Sequence, residues 1–585
     1  MTANLVLKRF WEPNTNLSLS RRAGGAGGPS TYKAFQCAEE NWSKLKASKP
    51  FTYDSSLREE VQQSVGPPPH FVSDDIATGS PRAWTKLLAL KNKKLDYDAV
   101  VCGGTLGIFF ATALAIKGNK ICIIEAGELL DREQEWNITM DELWELVKIG
   151  VLTQEDIEAS ATTEFPGFVN KRWSNENGIG FGFVAPGVLN LGVAPTILLE
   201  RVKKRFLSLG GHLKEQTRVE GVVVNDKIGS ALDLGEKKQP ITSRLVIDCM
   251  GNESPISRQQ RYGKKPDGVC AVVGSCAGGF APETNTAGDI IYTNSEIKDC
   301  GERGQLQYFW EAFPVGVGRD GKEPGTSDVK TTYMFTYFDA EENRPSLEML
   351  MEDYLDMLPK YQNSIVNAED DLDFKRVLFA HFPTYQDSPL KPQWSRVLAV
   401  GDASGIQSPL SFGGFGSLTR HLERITSAIS EALEDDLLHK EDLAEINAYQ
   451  PNLSAACMFQ KAMSIRTGQD TDSKFVNRLL ATNFEVMNEQ GPRGLASSLS
   501  GSFAKDPSFM PAVVKQVGVK TVAQWLCHVA MMGVYTFLHA TATPILSPFV
   551  RFFQNSRERF QWRRRMDSWK FGSGSDDFTL LSDED

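Results

Sequence analysis

No C-x-x-C pair occurs in this sequence, and its nine cysteines (Cys37, Cys102, Cys122, Cys249, Cys270, Cys276, Cys300, Cys457 and Cys527) are scattered and odd in number. Disulfide frameworks and zinc sites need paired, regularly spaced thiols, so reduced thiols in a reducing compartment are expected. Positive charge is also short, with a formal net charge of −11. Duplex binding depends on clustered Lys and Arg that neutralise phosphates, so nucleic acid is not an expected partner. No apolar h-region opens the chain, which argues against secretion. Internal repeats, metal-ligand spacings and Ser/His/Asp or Cys/His arrangements are all missing, so no metal is expected.

What is present is a globular composition, 41% hydrophobic and 23% charged, over 585 residues, enough for several domains. The first thirty residues carry Lys8, Arg9, Arg21 and Arg22 against one acid, Glu12, among Ser and Gly, which reads as a transit-peptide-like leader. Residues 1–95, with Gly66-Pro67-Pro68-Pro69 inside them, read as leader plus irregular arm. Residues 96–446 alternate apolar runs, helical patterns and Gly-rich turns, the mark of an α/β domain with a parallel sheet, and about 262–390 read as an inserted mixed sheet for substrate. Residues 447–585 read as helical. Within them 521–540 carry no Asp, Glu, Lys or Arg, and ~20 such residues can span a bilayer. Gln524, His528 and His539 lower the hydropathy, and Pro544 and Pro548 follow, so a span, a buried helix and an interfacial helix all stay open. Residues 551–570 interleave Arg551, Arg557, Arg559, Arg563, Arg564, Arg565 and Lys570 with Phe and Trp, a mixture suited to an anionic headgroup layer. A membrane surface or a single embedded helix is the expected partner, with the oligomeric state open.

Tyr97-Asp98-Ala99-Val100-Val101-Cys102 is an apolar strand entering the turn Gly103-Gly104-Thr105-Leu106-Gly107, followed by a helix and a second strand ending at Glu125-Ala126. This is a Rossmann-type βαβ unit: Gly104 admits a pyrophosphate, Gly107 lets helix and strand pack, and the helix N-terminus faces the anion. Glu125 is placed to accept ribose hydroxyls, which favours FAD or NAD over NADP. Cys102 stands where the first glycine of G-x-G-x-x-G is usual, so Gly103 is expected to make the turn. Further along come Asp248…Gly251…Ser254…Arg258 and the apolar strand that ends at Gly401-Asp402, then Pro409 and the Gly-rich Gly413-Gly414-Phe415.

This trio resembles the FAD enzymes that include aromatic hydroxylases, geranylgeranyl reductases and lycopene cyclases, and the whole is similar to plastid lycopene β/ε-cyclase-like proteins. The resemblance implies an α/β fold of the glutathione-reductase and aromatic-hydroxylase type with a helical, membrane-associated C-terminal tail. It implies FAD as cofactor, with Arg132 and Val219 added to the positions above, and NADPH or another external donor as electron source. It implies a lipophilic, isoprenoid- or carotenoid-like substrate and a membrane-associated place in the chloroplast. Lycopene cyclases carry a Phe-Leu-Glu-Glu-Thr-type strand; the comparable strand here runs Thr332 to Asp339 without paired glutamates. Asp339 and His381 are therefore the weak catalytic candidates. Trp136 is a candidate contact, and Tyr308 with Trp310, and Tyr333 with Phe335 and Tyr337, are candidate pocket walls. An FAD-dependent oxidoreductase is the lead reading, since hydride transfer at a flavin needs no acid pair. A redox-neutral cyclase and a non-catalytic, membrane-tethered flavoprotein with an assembly role are the alternatives.

Overall fold

Short β-branched runs such as Ile121–Ile124 are buried on both faces, as parallel strands covered by helices must be. The computed structural model describes residues 28–47, 70–91, 93–129, 134–174, 180–293, 295–319, 323, 325–362, 372–406, 410, 413–469, 471–490 and 509–573. Its larger sheet has a parallel centre, in the order His212–Lys214, Ile121–Ile124, Tyr97–Cys102, Ile241–Asp248 and Val397–Ala399. The antiparallel hairpin Gly221–Asn225 and Gly229–Asp233 pairs with the front half of Ile241–Asp248. The Gly107–Ile116 helix is almost wholly apolar and buried from Gly107 to Leu114, because it lies between this sheet and the helices Pro195–Ser208 and Gly414–Glu434. This is a Rossmann-type fold.

A second, antiparallel sheet runs Asp289–Tyr292, Phe309–Pro314, Lys330–Phe338, Gly268–Gly278, Asp373–Thr384. The helix Leu347–Gln362 covers one face through Leu350, Tyr354 and Leu358, and Tyr361 stacks on Trp310 at 4.4 Å. The opposite face looks towards the cofactor turns.

One expectation is corrected here. Residues 28–47, read as part of an irregular arm, form the helix Gly28–Ala47. Phe35, Ala38, Trp42 and Leu45 recur at helical spacing and face the second sheet's core. Trp42 is fully buried, and its Nε1 donates to the Pro345 carbonyl at 2.8 Å. Val72–Ser73 adds an edge strand beside Gly221–Asn225, and Pro81–Leu88 packs Trp84 and Leu87 on Val223 and Ala231. The ordered body thus begins well before residue 96. Residues 1–27 and 48–69, which hold most of the leader and the Gly66–Pro69 turn, lie outside the described residues.

The arginine-rich C-terminal segment forms the helix Ser556–Gly572. Arg557 pairs with Asp442 at 2.6 Å, Arg563 with Glu431 at 2.8 Å, and Arg564 with Asp567 at 3.1 Å. Phe560 is fully buried in the cofactor domain's core. Arg557 and Arg563 hold the helix to the protein body, whereas Arg551 and Arg565 stand exposed.

Candidate active site

The cofactor turn is built as its residues require. Gly103 has φ +94°, and a Cβ there would sit 2.5 Å from the Cys249 carbonyl oxygen, so it makes the turn that Cys102 does not. Cys102 itself is buried in the strand. At Gly107 a Cβ would meet Val101 Cγ1 at 2.8 Å, so this glycine allows the helix to close on the strand. Glu125 ends the second strand, and its two carboxylate oxygens accept hydrogen bonds from the Gly104 and Gly127 amides at 2.7 and 2.9 Å. Ala126 is exposed beside it, while Val219 is buried in the small core that also contains Cys102 and Ile124.

Asp248 is buried with its carboxylate accepting from Met250 N at 3.0 Å, Ser254 Oγ at 2.5 Å and Ser257 Oγ at 3.4 Å. Burial pushes its pKa up to about 6 against those hydrogen bonds. Asp248 therefore ties the second loop together, Gly251 makes its turn at φ +72°, and neither is among the residues that line the cavity. Asp402 is different. It is placed by the turn at Gly401 after the strand Val397–Ala399, and its carboxylate accepts no hydrogen bond among the described residues. Burial alone raises its pKa to about 6.

Asp402 opens into a cavity of about 440 Å³ between the two sheets. Thr105, Leu106, Gly413, Gly414 and Phe415 form its cofactor side. The helix Gly414–Glu434 begins there without a side-chain cap, leaving its first backbone N–H groups to meet an anion, whereas in Gly107–Ile116 the Ile108 and Phe109 amides already donate to the Gly104 and Leu106 carbonyls. A half-buried carboxylate that accepts no hydrogen bond among the described residues, beside the Gly103–Gly107 turn and the uncapped start of Gly414–Glu434, suits a ligand with both hydroxyls and a diphosphate, so these residues fit FAD. Arg132 and Pro409 lie outside the described residues.

The far wall is one face of the antiparallel sheet. Tyr333 and Phe335 line it as expected, with Phe313, Leu378 and Phe382, and Trp136 packs on Phe415 at 4.7 Å between ring centroids. Tyr337 is one step further along the same face, donating its hydroxyl to the Leu410 carbonyl at 2.6 Å. Tyr308 and Trp310 do not line the cavity. Tyr308 is hydrogen-bonded to Asp353, and Trp310 packs beneath Leu347–Gln362.

Neither catalytic candidate reaches this space. Asp339 forms a bidentate pair with Arg344, whose side chain is fully buried, with Nε–Oδ1 at 2.7 Å and Nη2–Oδ2 at 3.1 Å, and accepts the Thr467 amide at 2.7 Å. The Arg344 hydrogen bond outweighs partial burial only together with these other contacts, and the carboxyl is held below its ordinary pKa. It is an ion-pair anchor with no proton to give. His381 lies against Trp42 on the sheet's other face, 5.8 Å between ring centroids. Burial, then the nearby Arg258, lowers its pKa to about 4, so it is neutral at pH 7.

Two acids that the sequence reading passed over stand in the cavity wall: Glu311 and Glu135. Glu311 is in the middle of Phe309–Pro314, opposite Tyr333, and accepts no hydrogen bond among the described residues. Burial alone raises its pKa to about 8, so it carries a proton at pH 7. Glu135 is bonded to Thr162 and to Thr163, the latter at 3.0 Å, and burial again raises its pKa. A usable signal was present in the sequence. In Phe309-Trp310-Glu311-Ala312-Phe313 the carboxylate shares its strand face with two phenylalanines, and a titratable group in such a row is either partnered or poised.

No family model and no curated protein matches the chain. Among solved structures, it is similar to a geranylgeranyl bacteriochlorophyll reductase-like protein from Thermoplasma acidophilum, with TM-score 0.50 and 14% identity over 72% of this chain and 98% of that one. A mutant of the halogenase PltM in complex with FAD gives 0.47 and 13% over 80% and 99%. Aklavinone-11 hydroxylase with FAD and aklavinone gives 0.44 and 15% over 63% and 68%. At these identities the likeness extends to the fold.

Proposed function

We propose that this chain is an FAD-dependent oxidoreductase acting on a lipophilic substrate, and that Glu311 donates a proton to that substrate. The observation that carries this reading is a protonated, unpartnered carboxyl in the same aromatic cavity onto which the cofactor turns open. FAD, when bound, supplies electron-pair transfer. The chain's own residues do the rest. The turn at Gly103–Gly107, Glu125, Asp402 and the start of the Gly414–Glu434 helix hold the cofactor. Tyr333, Phe335, Phe313 and Phe382 exclude water and orient a hydrocarbon skeleton.

Reducing a carbon–carbon double bond requires a hydride on one carbon and a proton on its neighbour, and Glu311 is the proton source on the wall across from the cofactor turns. A cavity lined by hydrocarbon and aromatic side chains, with two half-buried carboxyls, favours an isoprenoid-like compound. The basic, acid-poor leader supports a plastid location, with NADPH or another external donor as reductant. The same Glu311 favours a second reading, redox-neutral isomerisation or cyclisation of a polyene. That chemistry needs an acid still protonated at neutral pH, which the strand Lys330–Phe338 does not supply.

The test is an anaerobic titration of the FAD-loaded protein with NADPH or dithionite, then addition of isoprenoid lipids with mass analysis of the products. Reoxidation of the flavin together with a product gaining two hydrogens is the expected result. Conversion to a product of unchanged mass while the flavin stays reduced would install the second reading. Protein that takes up no FAD would overturn both.

A further inference from the structure

Helices on the surface of a soluble domain normally turn a polar face to water. The Val519–Val550 helix does not. Its inward stripe is fixed to the protein: Thr521 and Trp525 are buried, Val522, Val529 and Met532 pack on the second sheet's core, and Tyr449 bonds His528 Nδ1 at 2.5 Å. Further along, Tyr535 closes on Gly572 of the returning C-terminal helix. Its outward stripe follows at the same helical spacing, through Leu526, Ala530, Val534, Phe537, Ile545 and Phe549, with Phe552 just past the helix end. Of the twelve large hydrophobic residues exposed among the described residues, seven lie between Val519 and Phe552, and Phe537 and Ile545 are 65% and 64% exposed. The other five are dispersed along the chain, so this stripe is a patch and not background.

We infer that this stripe lies in the plane of an anionic lipid surface, half-immersed, and that the helix does not cross the bilayer. Charge identifies the occupant. In a chain of net charge −11 there is no Asp or Glu from residue 507 to residue 557, while Lys515, Lys520 and Arg551 stand exposed at the two ends of the stripe. Cations framing a carboxylate-free apolar row complement a headgroup layer over hydrocarbon.

Geometry excludes a span. The 32-residue helix is ~48 Å long at 1.5 Å per residue, against a hydrocarbon core of ~30 Å. Its inward side is bound along much of that length to elements that would have to enter the bilayer with it. Those elements carry the Arg557–Asp442 and Arg563–Glu431 pairs, and charged groups at bilayer depth are strongly unfavourable. An in-plane helix leaves the ion pairs in water and wets only the stripe with lipid.

The experiment uses the full chain with vesicles of phosphatidylcholine alone or with 30% phosphatidylglycerol, the lipid fraction being a choice of the assay, set at about the anionic content that recruits basic amphipathic helices. Wild type is expected to float with the anionic vesicles, less at high salt, and the double variant Phe537→Asp, Ile545→Asp to lose at least ~10-fold in partitioning with an unchanged thermal melt. Topology is read separately. In a Cys37→Ser, Cys527→Ser background, Val519→Cys and Arg551→Cys are each labelled with a membrane-impermeant maleimide outside sealed vesicles. Labelling of both ends supports the in-plane helix; protection of one end shows a span and overturns it. Equal binding by the Asp variant, or no vesicle binding together with a dimer that the Asp variant dissociates, overturns the lipid assignment.

Discussion

Replacing Glu311 with Gln keeps the side chain's shape and removes its ionisation. Its pKa rises from the ordinary 4.5 to about 8 on folding, by burial alone. At ~1.4 kcal/mol per unit this is ~5 kcal/mol against the charged form. Because the folded value lies above the unfolded one, the folded state holds the proton more tightly. The contribution of Glu311 to stability is therefore fully present below about pH 4.5 and lost as pH rises through about 8. The Gln variant loses nothing over that range, so its stability relative to wild type should rise with pH. Between pH 5 and pH 8 the gain is ~3 kcal/mol for a dry site and ~2 kcal/mol when water in the cavity screens the charge. Urea midpoints of both proteins at pH 5 and pH 8 measure it. In parallel, turnover by wild type should fall above pH 8, and the Gln variant should lose ~10² to 10⁴-fold in kcat while retaining flavin absorbance. Stability curves that stay parallel across this pH range would show that Glu311 is ionised in the folded protein. Full kcat in the Gln variant would remove it from the reaction.

Asp402→Ala should weaken FAD binding by ~10 to 100-fold, the loss of one or two hydrogen bonds to a half-buried carboxylate, read as flavin fluorescence released on gel filtration; unchanged retention would place the cofactor elsewhere. Asp339→Asn leaves the buried Arg344 without its counter-charge and should lower stability by ~3 kcal/mol while leaving the pH–rate profile unmoved. A shifted profile would restore Asp339 as an acid. Trp42→Ala, which empties a fully buried site, should cost ~3 to 5 kcal/mol in chemical denaturation. A loss below ~1 kcal/mol would show that the first helix contributes little to the fold.

The cofactor half of the site was legible because its signals are local. The turn at Gly103–Gly107 and Glu125 lie within one βαβ unit, and their spacing states their geometry. The substrate half depends on register and on which face of a strand looks inward. Tyr333 and Phe335 share a face at period two, but only the pairing of Glu311 with Tyr333 brings that carboxyl beside them. Asp339, chosen from the neighbouring strand, lies where the chain turns to meet Arg344 five residues on. In Asp373–Thr384, Leu378, Ala380 and Phe382 line the cavity, which leaves His381 on the other side against Trp42. The helix that supplies Trp42 was missed because four apolar residues at helical spacing are thin evidence among polar neighbours. Arg557 and Arg563 show what composition alone does not state, since Asp442 and Glu431 hold these two side chains.

The ridge and the cavity are joined through shared cores. Trp525 and Val529 of the outward-exposed helix pack in the same apolar cluster as Phe335 and Tyr337, and the returning helix places Phe560 in the cluster that contains Phe109 and Phe415 beside the cofactor turns. Two helices packed on each other, one seated in each of these cores, cannot tilt without disturbing close-packed side chains on each side. The cavity's orientation to any surface the ridge contacts is thereby set by the same contacts that hold the two sheets together. A lipophilic substrate partitions into hydrocarbon in preference to water, so an enzyme with an aromatic cavity gains from such a fixed approach. If so, the Phe537→Asp, Ile545→Asp variant should show raised KM with unchanged kcat for substrate presented in vesicles, and wild-type kinetics for the same substrate presented in detergent micelles. Equal KM in both presentations would separate the ridge from substrate delivery while leaving its lipid contact intact.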